Sequence, residues 1–380
     1  MRRVYLDHNA TTPVRPEVVE AMLPFLQERF GNPSSIHSFG REAREGMEKA
    51  RGQIAAAIGA DAADIVFTSG GTEADFLALK GVAYHNRSRG KHIIISAVEH
   101  HAVLDTCAEF LTAGEFDLTV VPVDRSGIVD PDAVRTAIRP GTILISVMYA
   151  NNEVGSVQPV PQIAAIAREH GVIFHTDAVQ CLGKIPVNVR ELNADLVSLS
   201  SHKVNGPKGA GALWIRPGTR WAPINHGGGQ ERARRPGTEN VPGIVGFGEA
   251  CSLAVAELEV KAAELRRLRD RLVEGVYEAL PGVLVNGEPE RCLPNTAHFC
   301  IAGADEEVVL TALDAHGIAV SAGSACVSGS RAPSHVLTAM GVPAEAARCS
   351  LRVSLGYGNT DADVEYFVQV LRQVVAHRER

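Results

Sequence analysis

The sequence predicts an α/β fold on a mostly parallel sheet, followed by a smaller α+β unit. Two patterns carry this. Through the first two thirds, short apolar runs rich in β-branched residues alternate with helical stretches, as in a sheet covered by helices. Beyond Gly243 that alternation gives way to a long helical pattern and then to fewer strands. At 380 residues the chain is also long for one core, so two domains are expected.

The expected strands, in order, are Asp64–Ser69, His92–Ala97, Leu118–Val123, Thr142–Met148, Val172–His175, Leu196–Ser200 and Gly211–Ile215. Most are nearly continuously apolar, as strands buried on both faces must be. Helical stretches separate them, for example Pro161–His170, with Gly171 placed to end it. From Gly243 to Leu280 one long helix, or two closely joined, is expected. Leu258, Ala262, Leu265, Leu268, Leu272 and Val276 recur at helical spacing there, and Pro281-Gly282 stops the pattern. Further strands are expected around Val283 and His298–Ile301.

Apolar residues make up 45% and charged residues 21%, with a net charge of −7. This argues against a general nucleic-acid-binding surface. No apolar run reads as a membrane span, and the opening Met1–Asp7 lacks the apolar core of a signal peptide. Seven cysteines without a Cys-x-x-Cys pair read as reduced thiols rather than a disulfide framework or zinc site. The expectation is a cytoplasmic enzyme without a membrane partner and without direct nucleic-acid binding.

The chemistry centres on Ser200-Ser201-His202-Lys203, which closes one strand and precedes Asn205-Gly206-Pro207-Lys208-Gly209. A lysine whose pKa is lowered by desolvation or by neighbours can form a Schiff base, and the adjacent hydroxyls can receive a phosphate. Asp177, in His175-Thr176-Asp177-Ala178-Val179-Gln180, offers a carboxylate. A lysine, a carboxylate for a ring nitrogen and phosphate donors are the requirements of pyridoxal phosphate.

Other polar strand ends keep company with this lysine. Thr68-Ser69-Gly70-Gly71-Thr72-Glu73 leads from a strand into a helix, where free N–H groups suit a phosphate. Glu99-His100 supplies a histidine able to stack on a flat ring or move a proton, and Asn151 supplies an amide. Alone, each has a bland explanation: a satisfied histidine, a helix-capping aspartate, an ordinary turn. Their convergence on one lysine favours the cofactor. Lys184 in a Gly-Lys-Ile-Pro stretch and Lys208 in a turn read as surface charges.

A second centre is Cys326, within Ser321-Ala322-Gly323-Ser324-Ala325-Cys326-Val327-Ser328-Gly329-Ser330. Small neighbours suit a mobile, accessible arm rather than a core, whereas Cys300 lies between Phe299 and Ile301. Cys349 reads as a packed thiol, with a second redox-active thiol as the alternative. Arg352, alternating with apolar residues in Ser350–Ser354, suits a bidentate carboxylate clamp, with a structural ion pair as the alternative.

In this order the motifs resemble the cysteine desulfurases of the NifS/IscS type, within the class V aminotransferase-like enzymes. The resemblance runs from Tyr5–Thr12 and Phe30–Ser35 through Thr68–Glu73, Glu99-His100, Asn151–Gly155, Asp177–Gln180 and Ser200–Lys203. It continues through His226–Glu231, Arg235–Asn240 and the Cys326 segment. It implies fold type I of the pyridoxal-phosphate-dependent transferases. A large domain, 15–257, would hold a seven-stranded, mostly parallel sheet. A small α+β domain, 1–14 with 258–380, would carry the catalytic cysteine segment at about 321–333.

By that resemblance Lys203 binds pyridoxal phosphate covalently. Gly71, Thr72, Ser200 and His202 hold the phosphate, with Thr238 reaching it from the second subunit of a homodimer. Asp177 pairs with the ring nitrogen, Gln180 contacts the ring oxygen, and His100 stacks on the ring. Asn151 and Arg352 hold the substrate carboxylate. The implied reaction converts L-cysteine to L-alanine and leaves a persulfide on Cys326 for a sulfur-acceptor protein, either an iron–sulfur scaffold or a tRNA or DNA thiolation enzyme. The isolated enzyme would hold no metal, although Cys326 could share a cluster with a scaffold. Phe76 stands where many relatives carry asparagine. The IscS-like members have a longer tail than a chain ending at Arg380, which puts the cluster scaffold in doubt as the acceptor and allows a specialised one. The alternatives are a selenocysteine lyase, a class V aminotransferase, or a non-enzymatic scaffold on the same fold.

Overall fold

A computed structural model describes residues 2–323 and 334–376; Cys326 lies outside the described residues. The chain opens with a short strand, β1 (Val4–Tyr5), and the seven expected strands follow as β2 (Ile65–Thr68), β3 (His92–Ser96), β4 (Asp117–Val121), β5 (Thr142–Ser146), β6 (Ile173–Asp177), β7 (Leu196–Ser200) and β8 (Gly211–Ile215). They form one sheet in the order β2-β8-β7-β6-β5-β3-β4. β3 to β7 pair in parallel, and β8 runs antiparallel between β7 and β2. β4 to β5 steps back across β3, so the chain reverses its direction of winding between β3 and β5. Ligands collect beyond the carboxyl ends of strands at such a reversal.

Apolar clusters cover both faces of the sheet. One face packs Val18, Met47, Ile54, Phe174 and Phe247; the other packs Leu77, Val82, Val103 and Phe110. Two-sided burial explains why these strands read as unbroken apolar runs. The helix expected at Pro161–His170 spans Val160–Glu169, and Gly171 follows in the left-handed region (φ +64).

The second half of the expected pattern is one helix, Val241–Ala279. Its first half lies against helix Ser38–Ala57, so tightly that a Cβ on Gly248 would stand 2.7 Å from Ala50 Cα. By length and composition this helix could cross a membrane, which corrects the expectation that no segment would. Its Ile244, Phe247 and Cys251 are buried in the core, so the apolar run serves internal packing. Its second half turns Leu268, Leu272 and Val276 into a separate cluster with Val4, Leu6, Phe299, Leu351 and Phe367.

The remaining strands are β9 (Leu284–Asn286), β10 (Thr296–Cys300), β11 (Ile318–Ala319), β12 (Ser321–Ala322) and β13 (Ser350–Ser354). Four of them make an antiparallel sheet, β12-β13-β10-β9, while β1 pairs with β11. A bridge from Asp7 to Ser354 carries the N-terminal segment along β13. That detour brings residues 7–12 between the second sheet and the end of β7. Cys349 is buried in the second cluster, as a packed thiol should be.

Candidate active site

β7 ends at Ser200, and Ser201–Lys203 make a single 3-10 turn. The N-terminal segment is stitched to this turn: the N–H and the hydroxyl of Thr12 both donate to His202 O at 2.9 Å. Lys203 Nζ donates to the carbonyls of Asn9 (2.6 Å) and Ala10 (2.7 Å). The lysine is therefore half-buried and held by backbone.

Beside it, Gly211 on β8 is in register with both Thr68 and Ser200, so the ends of β2 and β7 flank one glycine. A Cβ on Gly211 would sit 2.7 Å from Gly70, and one on Gly71 would meet Val179 at 2.7 Å and Ser200 Cβ at 3.6 Å. Bare glycines thus leave a hollow between the 68–73 turn and Ser200. The turn opens helix Gly71–Asn86, whose first N–H groups face outward from its start. Ser200 Oγ is buried and has no hydrogen-bond partner among the described residues. A hollow at a helix N-terminus, with an unused hydroxyl and a lysine beside it, fits the phosphate of pyridoxal phosphate.

Asp177 closes β6 and accepts the Val179 N–H at 2.8 Å. Burial raises its pKa to about 6, with that hydrogen bond and the Lys203 charge opposing the rise. Behind it lies Asp75, pushed far upward by burial and by the charge of Asp177. Of the two, Asp75 takes the proton and Asp177 keeps the charge. His175 stands between Ser146 Oγ (2.8 Å) and Ser198 Oγ (3.0 Å), and burial lowers it to about 3, so it is neutral. Asp177 thus offers a buried carboxylate of the kind that pairs with a protonated ring nitrogen.

His100 caps helix His101–Thr112 by accepting the Ala102 N–H at 3.1 Å. Burial, helped by the charge of Lys203, lowers it to about 4. A neutral imidazole beside Lys203 suits stacking on a flat ring. His202 is lowered to about 4 for the same reasons, and its Nδ1 lies 3.2 Å from Thr11 Oγ1. Thr72 and Thr238 are both exposed.

Three side chains have partners that the sequence did not announce. Gln180 donates to Asn9 O (2.9 Å) and accepts from Lys184 Nζ (2.8 Å). Asn151 donates to Val98 O and accepts the N–H groups of Glu153 and Val154, so its amide is occupied by backbone. Arg352, 2% exposed, donates to Asp7 Oδ1 (2.8 Å) and Asn152 O (3.2 Å). The structural ion pair weighed for Arg352 is therefore present, but its Nε has no partner among the described residues, which leaves a donor for a substrate carboxylate.

Lys184 corrects the sequence reading. It is buried rather than a surface charge, and burial lowers its pKa to about 7. Successive turns over 178–185 fold it inward, onto a cavity of about 270 Å³ that His8, Lys203 and Asn359 also line. A Gly-Lys-Ile-Pro stretch looks exposed locally, and distant segments, residues 8–15, the long helix and residues 355–360, close around the cavity it faces. Lys208 is exposed, as expected. Asp7 and Asn9 also escaped the site assignment, although both stand in the Tyr5–Thr12 motif.

The aminotransferase class-V family model matches residues 4–367. The cysteine desulfurase IscS of Methanosarcina thermophila is 53% identical over 374 residues, 98% of this chain and 92% of that protein. Among solved structures, one titled NifS-like protein superposes with a TM-score of 0.93 at 39% identity, covering 99% of this chain and all of that one. SspA in complex with cysteine superposes with a TM-score of 0.82 at 37% identity, covering 93% and 98%.

Proposed function

Because the chain belongs to the aminotransferase class-V family, we propose that it is a pyridoxal-phosphate-dependent cysteine desulfurase. It converts L-cysteine to L-alanine and keeps the sulfur as a persulfide on Cys326. The observation that carries this reading is the grouping of the buried Asp177 and the neutral His100 close enough to Lys203 for its charge to act on both. The relatives' activity and a solved relative captured with cysteine support the substrate.

In this reading Lys203 would hold the cofactor covalently, and Gly71, Thr72, Ser200 and His202 would hold its phosphate, joined by Thr238 of the second subunit. Asp177 would pair with the ring nitrogen, Gln180 would contact the ring oxygen, and His100 would stack on the ring. When bound, the cofactor supplies an electron sink for bonds breaking at the substrate Cα and Cβ. Arg352 holds the substrate carboxylate, and Asn151 shapes the turn beside it. Lys203 Nζ, once released, takes the Cα proton. The Cys326 thiolate then attacks the substrate sulfur: the S–S bond forms, the Cβ–S bond breaks, and Cβ is protonated to the alanine methyl group. L-cysteine and a thiol thus become L-alanine and a persulfide with no outside oxidant.

The acceptor is a sulfur-carrying partner protein, an iron–sulfur scaffold or a thiolation enzyme, and the setting is the cytoplasm. A homodimer is supported by an exposed apolar patch of Leu26, Phe30, Ile36 and Phe39, with Ile36 89% exposed. Patches of this kind on a soluble chain mark association surfaces. The two separate apolar clusters support domains at 15–257 and at 1–14 with 258–380.

The test is to give the yellow holoenzyme L-cysteine without reductant and measure alanine and protein-bound persulfide, alongside Cys326→Ala. About one persulfide per subunit with matching alanine, both lost in the variant, is expected from a single covalent nucleophile. Alanine released without persulfide on Cys326 would sink the proposal.

A further inference from the structure

Lys184 is a buried amine that makes no ion pair among the described residues. The carboxylates of Glu257 and Glu264, on the wall of the same cavity, are taken by Arg15 (2.8 Å) and Lys261 (2.9 Å). Lys184 Nζ donates instead to an amide oxygen, Gln180 Oε1, at 2.8 Å. The turns over 178–185 bring these two side chains together, closed by the N–H groups of Lys184 and Ile185 on Cys181 O at 2.9 and 3.0 Å. Burying an amine without a carboxylate is costly, so the contact with Gln180 calls for a reason.

The amide of Gln180 is held at its other end as well. Its Nε2 donates to Asn9 O at 2.9 Å, the same oxygen that accepts Lys203 Nζ at 2.6 Å. A carbonyl oxygen only accepts, and an amine carries N–H donors in either charge state. The two contacts therefore fix which end of the amide is oxygen and which is nitrogen. Turned over, the amide would set its oxygen against the Asn9 carbonyl and leave Lys184 Nζ facing N–H groups. One N–H of Gln180 goes to Asn9, and among the described residues no acceptor takes the second. Gln180 and Asn9 are both buried, where an unused donor is expensive.

We propose that Lys184 is a positioning residue for the cofactor, holding Oε1 of Gln180 so that the second amide N–H is presented to the ring oxygen. This rests on the reading in which Gln180 contacts that oxygen. A hydrogen bond to the deprotonated oxygen favours the deprotonated form, so the amide lowers the pH at which the bound cofactor loses its proton. Without its anchor on the oxygen side the amide turns more freely and donates less well. The anchor itself does not depend on the charge of Lys184, because the amine keeps N–H donors when neutral. It therefore persists although burial, and after it the charge of Lys203, lower the lysine to about 7, with Cys181 opposing and Arg352 adding to the fall.

The experiment reloads stripped protein with pyridoxal phosphate and reads two quantities, the affinity for the cofactor and the pH midpoint of its absorbance change. Lys184→Met keeps the apolar stem and removes the donor. Its midpoint is expected to rise by about one unit and its affinity to fall about three- to tenfold, the worth of one hydrogen bond. Lys184→Arg keeps a donor and has the adjoining cavity to occupy, and it should return the midpoint to within about 0.3 unit. Gln180→Met should raise the midpoint by itself, and adding Lys184→Met to it should change nothing further, because the lysine acts through the amide. A direct effect of the lysine charge on the ring would instead add its full shift in the Gln180→Met background, and that result overturns the proposal. So does a Lys184→Met midpoint within about 0.2 unit of the unchanged protein. A Gln180→Met midpoint equal to that of the unchanged protein would sink the Gln180 assignment and the role of Lys184 with it. Alanine and persulfide formed by the unchanged protein decide the desulfurase reading separately, so flat midpoints strike Lys184 and leave that reading standing.

Discussion

Arg51 and Glu231 form a two-pronged buried ion pair, Nη2 to Oε1 at 2.7 Å and Nη1 to Oε2 at 2.8 Å. Glu231 Oε2 also accepts the Phe67 N–H at 2.8 Å, and the guanidinium lies over the Phe67 ring. The pair therefore pins the segment that carries Thr238 to the strand leading into the 68–73 turn. Glu231, Arg232 and Ala233 are all left-handed there (φ 45, 58 and 61). For residues with a Cβ that conformation costs about 1–2 kcal/mol each, so the pair holds the segment against local preference. Removing Arg51 leaves the buried Glu231 charge uncompensated, and removing Glu231 leaves Arg51 with only the partly exposed Glu48 at 3.2 Å. Arg51→Met and Glu231→Gln should each lose about 3–5 kcal/mol in urea unfolding, and Arg51→Met/Glu231→Met less than their sum. Losses under about 1 kcal/mol in both single variants would contradict a role for this pair.

Lys184 makes stability depend on pH in a defined direction. Its folded pKa, lowered to about 7 by burial, lies below the ordinary 10.5. The group's contribution is complete above the unfolded value and is lost as pH falls through the folded one. Lys184→Met should therefore gain stability relative to the unchanged protein as pH goes from about 10 to about 7, by up to about 5 kcal/mol. The difference in urea midpoints across that range is the measurement. A flat difference would mean that Lys184 stays charged in the folded state.

Gly211 is expected to matter to the cofactor more than to the fold. A methyl group there meets the backbone of Gly70 at 2.7 Å, so Gly211→Ala must push the 68–73 turn away from Ser200. Overpacking of this sort costs about 1–3 kcal/mol. Titration of the stripped protein with pyridoxal phosphate should show affinity reduced by about tenfold or more, at about 1.4 kcal/mol per tenfold. Unchanged affinity would show that the turn accommodates the methyl without disturbing the phosphate hollow.

The apolar patch gives a solution test. Ile36→Asp or Phe39→Asp changes an exposed side chain, so the fold should survive while the dimer does not. Light scattering on the unchanged chain should give twice the mass of either variant at micromolar concentration. A charge set into an apolar contact without a partner is strongly unfavourable. Equal masses for all three chains would remove this patch from the interface.

Much of the fold and the chemistry was legible in the residues themselves. The seven strands could be read because burial on both faces forces continuous apolar runs. The lysine turn, the 68–73 turn, Asp177 and His100 could be read because each stands at the end of such a strand, where a parallel sheet collects ligand groups. The long helix was equally plain from its spacing and its Pro-Gly stop, though the same apolar composition hid how it packs.

What only the tertiary structure decided are the pairings across distance. Nothing near Lys184 says that residues 8 and 359 will line the cavity beside it, nor anything near Arg352 that Asp7 will hold it. Both follow from the N-terminal segment, which leaves its own start to pair with β11, bridge to β13 and stitch onto the turn of Lys203. Periodicity reports how one element faces a core. It carries no information about which distant carboxylate or carbonyl meets a charge once that charge is buried. That choice sets pKa values and the partners of the site, because a buried charge must be paired or neutralised by whatever the fold places beside it.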